Sequence, residues 1–489
     1  MPEAGRKNRD TRWGALFTLA LTGVVALAAG LRFFGLGLQS LWVDELASLW
    51  FADPARGLAG VVAGTANDVH PPGYHVVLYF TMLLLGDAEW AVRLPSAVAG
   101  TLAVVAIFFL GRELYSRREG LVAALFTAVF FAPVYYSQEA RSYSLLLLFS
   151  VLTALLWWRV YGRLREGRRP APVDAALYVA AALACSYLHY FGLFLVAFQG
   201  AALLALNLRQ LRSAAWAVGL FVPVALLYAP WLPTMSGQVR SRELGAPDWH
   251  LYPSFLLNGW PIVVLVATAL LAAFAVVSLG SLERRKGRAL PKLDDLLPGA
   301  LLVAWAVVPF CVAYYISEHA AAILSARNMI IALPAVYLLL ARSVIVLFPT
   351  VRQQSAVALA VGALALYGVL FAHELYTRPH KQQVREAVAY VVERKENDPL
   401  VVHCGVGRVA NYYYRQQGSD RSEFEQLGAC REERLNAVRE AARGHEEVVL
   451  VYAHLEPGER FLEALAGEYR LVHHEDLYDA GAYLYRTER

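Results

Sequence analysis

Tyr74-His75-Val76-Val77-Leu78-Tyr79-Phe80-Thr81-Met82-Leu83-Leu84-Leu85-Gly86 is apolar enough to enter a bilayer but too short to cross it, with about 13 residues against the roughly 20 that a spanning helix needs. The topology turns on this segment, because counting it as a span inverts the side of every later loop. Read as an interfacial helix lying on the outer leaflet, it leaves a first outer loop from about Gly35 to Arg93. A connection of that length inside a compact bundle is usually functional.

The rest of the chain fits that setting. Of 489 residues, 58% are hydrophobic and 17% charged, with a mean hydropathy of +0.43, more apolar than a soluble protein with one ordinary core. The formal charge of +4 is modest, and no nucleic-acid partner is implied.

The amino end, Arg6-Lys7-Asn8-Arg9-Asp10-Thr11-Arg12, precedes an apolar run from roughly Trp13 to Phe34. A signal peptide is the competing reading; the length of the run and the lack of a small-residue cleavage site after it argue against that. Further runs lie near Leu94 to Gly111, Leu121 to Tyr136, Ser144 to Tyr161, Ala175 to Tyr190 and Phe191 to Leu208. Five more lie near Ala214 to Leu232, Pro261 to Leu282, Leu296 to Ile316, Met329 to Leu347 and Ser355 to His373, giving about eleven spans.

Charge checks the parity. With the amino end in the cytoplasm, Arg112/Arg117/Arg118, Arg159/Arg163/Arg165/Arg168/Arg169, Arg209/Arg212, Arg284/Arg285/Lys286/Arg288 and Arg352 all fall inside, as the positive-inside rule requires. The expected localisation is a multi-pass protein of the cell (inner or plasma) membrane with an extracytoplasmic carboxy terminus.

Composition changes sharply after about Glu374. Helix-like stretches (Gln383 to Lys395, Arg431 to Arg443, Gly458 to Ala466) alternate with strand-like ones (Leu400 to His403, Val448 to Tyr452, Tyr469 to His473, Ala482 to Tyr485), which predicts a small α/β domain over 374–489 beside a transmembrane domain over 1–373. Gly405-Val406-Gly407 reads as a tight turn, being too short for a dinucleotide fingerprint. Cys404 and Cys430 lie in the external domain, where an oxidising compartment permits them to pair without requiring it. No CxxC pair or HExxH spacing is present.

The topology gathers polar residues at the outer face. Asp44, Glu45, Asp68, His70 and Arg93 come from the first loop, Gln138-Glu139-Ala140-Arg141-Ser142-Tyr143 from the second, and His189-Tyr190 from a later turn. Arg327 opens the tenth span. Two adjacent carboxylates at the mouth of a span, Asp44 and Glu45, are costly near lipid and need a reason to be there. Plainer readings stand beside these: Asp44 as a helix cap, Glu139 with Arg141 as a local ion pair, His70 as a residue stiffened by the prolines after it, His189 as an interfacial side chain bonded to backbone, Arg327 as a snorkelling anchor. Asp68 and His75 read more readily as structural than catalytic.

Trp42-Val43-Asp44-Glu45, Asp68-Val69-His70-Pro71-Pro72, Arg93-Leu94-Pro95, Ser137-Gln138-Glu139-Ala140-Arg141 and His189-Tyr190-Phe191-Gly192 resemble the GT-C superfamily of membrane glycosyltransferases. Within it the chain is similar to bacterial relatives of protein O-mannosyltransferases and aminoarabinose transferases, over roughly residues 13 to 375 plus the external domain. The resemblance implies an inverting transferase of the extracytoplasmic face, moving a sugar from a polyprenyl-phosphate-linked donor to a hydroxyl of a glycan, lipid or protein acceptor, with no required cofactor. It places the base on Asp44 and the acid of the second outer loop on Glu139. After His70-Pro71-Pro72 no lysine follows closely; Gly73-Tyr74-His75 stands there instead.

The residues alone make that chemistry sensible. Phosphate leaves readily, so an inverting displacement needs one carboxylate to take the acceptor's proton and cations to hold the departing phosphate. Asp44 suits the first task, with Glu45 beside it. Arg327 suits the second because its planar fork binds phosphate bidentately. Asp68, His70, Arg93, Arg141, Tyr143, His189 and Tyr190 are the further substrate-binding candidates. A divalent ion held by Asp44, Glu45 and Glu139 with waters stays open. The alternative is a secondary transporter of an anionic or lipid-linked substrate, which would place its charges at the midplane in broken helices.

Overall fold

The computed structural model describes residues 2–240, 261–283, 293–424, 426–428, 430 and 432–487. The basic cluster Arg284/Arg285/Lys286/Arg288 lies outside the described residues, as does Arg431 at the head of one expected helix. The chain is a multi-span helical membrane protein with a small carboxy-terminal sheet domain. Among the described residues, nine helices are long and apolar enough to cross a bilayer, and Arg117–Val129 with Phe131–Gln138 makes a tenth if that pair, bent by 62°, is counted as one span. Of the eleven apolar runs, Leu121 to Tyr136 falls on that broken pair, and Ala175 to Tyr190 falls on Pro172–Leu188, a helix of 17 residues, shorter than the others. Gly73–Leu85 is a separate apolar helix of 13 residues.

The bend has a local cause. Pro133 has no N–H to give the carbonyl of Val129, and its ring would clash with that carbonyl in a continuous helix. The chain therefore turns extended at Phe130, with ψ 146°. Elsewhere helices begin as capping chemistry dictates: Ser116 Oγ accepts from Arg118 N at 3.1 Å, and Thr350 with Gln353 forms a capping box.

The chain divides into two compact units, Met1–Phe34 with Arg56–Phe80 and Arg93–Glu374, and Gly35–Ala55 with Thr81–Val92 and Leu375–Arg489. In the first unit, Arg32 is fully buried and donates to the carbonyls of Thr127 (2.8 Å) and Ala128 (3.0 Å). These are the orphan acceptors at a helix carboxy end, where a cation is electrostatically favoured. Gln138 Nε2 donates to the carbonyls of Leu31 (3.1 Å) and Phe34 (2.8 Å). The polar segment leading to Glu139 is thereby fixed to the end of the first helix.

The second unit is built on a five-stranded sheet in the order β2-β1-β3-β5-β4, with β1 Leu400–Cys404, β2 Gln426–Gly428, β3 Glu447–Ala453, β4 Tyr469–Leu477 and β5 Ala480–Thr487. β1 is parallel to β2 and β3, while β5 runs antiparallel to β3 and β4. β1 and β3 are buried throughout, as strands covered on both faces must be. Val402, Val438, Leu450 and Phe461 lie in the core. β2 is a strand that the sequence pattern missed. Gly405 opens a turn at φ +76°, where a Cβ would meet the carbonyl oxygen of Ala453 at 2.6 Å, so only glycine fits. A disulfide joins Cys404 and Cys430.

Candidate active site

In the first unit, most of the polar residues singled out above converge. Gly73 starts that convergence: a Cβ there would lie 2.5 Å from the carbonyl oxygen of Tyr187, so the missing side chain lets the His70-Pro71-Pro72 segment close on the turn that carries His189. The His70 and His189 rings are 5.3 Å apart, those of Tyr143 and His189 6.1 Å. Arg141 lies 6.0 Å over the Tyr143 ring, and Tyr136 packs on Tyr143 at 4.9 Å. The charges of Glu139 and Arg327 act on both tyrosines.

His189 caps the helix Tyr190–Asn207, its Nδ1 accepting from Phe191 N at 3.2 Å. An accepting Nδ1 leaves the proton of the neutral ring on Nε2. Tyr190 donates to Gln238 Oε1 and accepts from Trp231 Nε1 at 3.1 Å. Gln238 in turn donates to the carbonyl of Thr65 at 2.9 Å. Arg93 is buried on the helix Glu89–Leu114, one turn before Ser96, whose hydroxyl donates to the carbonyl of Arg141 at 3.1 Å.

Asp68 stands between two histidines. Its Oδ2 is 3.2 Å from His70 Nδ1 and 3.7 Å from His75 Nε2, while His75 Nδ1 meets Thr65 Oγ1 at 3.3 Å. Burial alone would raise the Asp68 carboxyl, but the hydrogen bond and charge of His70, with the charge of His75, hold it well below the usual carboxylate range. Burial pushes the His75 ring down to about 4 against the pull of Asp68. His75 is therefore neutral at pH 7, and Asp68 is an ionised acceptor that fixes the orientation of His70. Thr65, Gln238 and Tyr136 are members of this cluster that the sequence reading left out, and His75, read there as structural, joins them. No local pattern points to Gln238, which lies 173 positions from its partner Thr65.

In the second unit, Asp44 and Glu45 lie in the first turn of the helix Val43–Phe51. The expectation that Asp44 stands at the end of a span is corrected here, because the first helix stops at Phe33 and Asp44 starts a new one. Carboxylates there face the positive end of the helix dipole. Glu45 is fully engaged: Oε2 accepts from Trp42 N at 3.3 Å and Oε1 lies 3.2 Å from Lys381 Nζ. The segment before it is stitched to the carboxy-terminal part of the same unit, with Ser40 Oγ donating to the Gln382 carbonyl at 2.5 Å and Gln382 Oε1 accepting from Val43 N at 3.0 Å. Among the described residues, no group of three or more His, Cys, Asp or Glu side chains is arranged to hold a metal ion.

Residues 69–233 match the family described as dolichyl-phosphate-mannose-protein mannosyltransferase. Across nearly the whole chain the fold is similar to ArnT from Cupriavidus metallidurans in the apo state, at 13% identity and TM-score 0.54, covering 97% of this chain and 98% of that one. It is also similar to the oligosaccharyltransferase of Archaeoglobus fulgidus, at 13% identity and TM-score 0.53, covering 95% of this chain and 72% of that one. No curated protein sequence matches the chain.

Proposed function

We propose that this chain, which has the GT-C fold, is an inverting glycosyltransferase that moves a sugar from a polyprenyl-phosphate-linked donor to an acceptor hydroxyl on the extracytoplasmic face of the membrane. The observation that carries the reading is the match over residues 69–233 to a family that uses a dolichyl-phosphate sugar. That segment contains His70, Arg93, Glu139, Arg141, Tyr143, His189 and Tyr190.

In this reading Asp44 takes the proton from the acceptor hydroxyl and Arg327 holds the donor phosphate, with Arg141 and His189 adding donors and Tyr190, bonded to Gln238 and Trp231, holding the His189 turn in place. Glu139 orients the acceptor, Asp68 holds His70 in place, and Arg93 supports the Arg141 segment. Glu45 keeps the turn around Asp44 in shape. The loop charges argue for a cytoplasmic amino end, and the Cys404–Cys430 disulfide supports an oxidising compartment for the carboxy-terminal domain. The transmembrane domain is assigned to 1–373 and the external one to 374–489, with no cofactor required and a glycan, lipid or protein as acceptor.

The test is transfer in proteoliposomes from a radiolabelled polyprenyl-phosphate sugar to an envelope extract. Donor-dependent labelling of an extracted acceptor supports the proposal. An intact donor after prolonged incubation, across several sugars, overturns it.

A further inference from the structure

The second unit contains a cleft of about 560 Å³ that no residue assigned above lines, within the ~300–1,000 Å³ typical of small-molecule sites. Trp50 and Asp53 contribute one wall, Asp87 a second, and Asn411, Arg415 and Asp420 a third. Trp50 leaves 40% of its surface exposed, which offers a flat apolar face beside polar groups.

Those polar groups are held as acceptors. Asp53 Oδ1 accepts from Ala55 N at 2.9 Å, and Asp87 Oδ1 from Gln416 Nε2 at 3.2 Å. Each carboxylate is thus oriented through one oxygen, while its other oxygen has no partner among the described residues. Asn411 Oδ1 is buried with no donor among them. Three carboxylates against one guanidinium leave a net charge of −2 (three negative, one positive) on the walls. That balance disfavours a phosphate or a carboxylate and leaves acceptors for hydroxyl groups.

An aromatic face beside fixed hydroxyl acceptors is the chemistry that recognises a pyranose. We propose that this cleft is a subsite for an uncharged saccharide, with Trp50 against the apolar face of the ring, Asp53, Asp87 and Asn411 accepting from its hydroxyls, and Arg415 donating to a ring or exocyclic oxygen. That the saccharide is the acceptor rests on the transferase reading. Asp44, the assigned base, stands on the same helix as Trp50, six residues away, or about 9 Å along the axis.

The experiment is saturation-transfer NMR on the full chain in lipid nanodiscs, with methyl α-mannopyranoside, methyl β-glucopyranoside and glucuronate as probes and no donor present. Saturation of a neutral glycoside is expected, with little of glucuronate. Trp50→Ala should weaken that binding at least about tenfold, Trp50→Phe should retain much of it, and Asp87→Ala should weaken it severalfold. No saturation of either glycoside, equal saturation of glucuronate, or unchanged affinity in Trp50→Ala overturns the subsite and leaves Trp50 an interfacial anchor. Sugar transfer measured on the same preparation separates the two proposals. Transfer without glycoside binding sinks the subsite alone, and binding without transfer sinks the activity alone.

Discussion

Lys381 Nζ lies 3.2 Å from Glu45 Oε1, with both side chains almost completely buried. Such a pair adds little net stability compared with an apolar substitute, but removing one partner strands a charge. Lys381→Met is therefore expected to destabilise the second unit by about 3–5 kcal/mol. The double variant Lys381→Met/Glu45→Gln should recover much of that loss. Thermal unfolding of the full chain in detergent, monitored by protease cleavage within 375–487, gives both values; equal stability of the single and double variants would remove the pair from the account.

His403 gives a pH prediction for the same unit. It is buried on β1, its Nε2 2.8 Å from Tyr414 Oη, and burial pushes its ring from 6.5 down to about 3. A depressed histidine means that the unfolded state binds the proton first as pH falls. Stability is then complete above about 6.5 and declines toward pH 3, with a slope of up to about 1.4 kcal/mol per pH unit. His403→Gln should flatten that part of the profile in pH-dependent unfolding, and a profile identical to that of the parent would assign the acid sensitivity to other groups.

Orientation can be read from the disulfide and the chain end. A reporter fused after Arg489 should behave as exported. After mild reduction, Cys404 and Cys430 should label with a membrane-impermeant maleimide added to intact cells or spheroplasts. A reporter active in the cytoplasm would mean that the number of crossings is off by one. Gly73–Leu85, Pro172–Leu188 and the bent pair around Phe130 are the helices to recount.

Arg327 is assigned to the donor phosphate. Arg327→Ala should weaken binding of the polyprenyl-phosphate donor by about tenfold or more, the scale of a charge-assisted bidentate contact. Arg327→Lys should restore only part, because a point charge cannot reproduce the planar fork. Donor affinity measured by tryptophan quenching in nanodiscs decides this; an alanine variant that binds as tightly as the parent makes Arg327 an anchor at the membrane surface.

The fold was largely legible because hydropathy acts locally: the apolar runs became helices, apart from Leu121 to Tyr136, which is broken in two at Phe130, and four of the five strands lie where alternation placed them. The missed strand, Gln426–Gly428, has three residues, too few for a period to show. The first outer loop was illegible for a different reason. Which unit its parts join depends on bonds such as Ser40 to Gln382 and Glu45 to Lys381, between residues 342 and 336 positions apart, and no local pattern encodes these. His75 reads as one polar residue in an apolar interfacial helix, and its partners Thr65 and Asp68 stand upstream on the other side of Pro71-Pro72.

Asp44 and Glu45 are adjacent, and their environments set them apart. Glu45 is buried and spends both oxygens on Trp42 N and Lys381, whereas Asp44 is partly exposed at the same helix end. A base must reach an acceptor hydroxyl, and Asp44 is the less buried of the two carboxylates. Asp44→Asn keeps the shape and removes the proton acceptor, so it should fold, insert and bind donor normally while transfer falls by about 100-fold or more. Glu45→Gln should act through stability, lowering the yield of folded protein more than the rate per folded molecule. Single-turnover transfer, normalised to donor-binding sites, separates the two effects. Near-parental turnover in Asp44→Asn, with a large loss in Glu139→Gln, would move the base to Glu139.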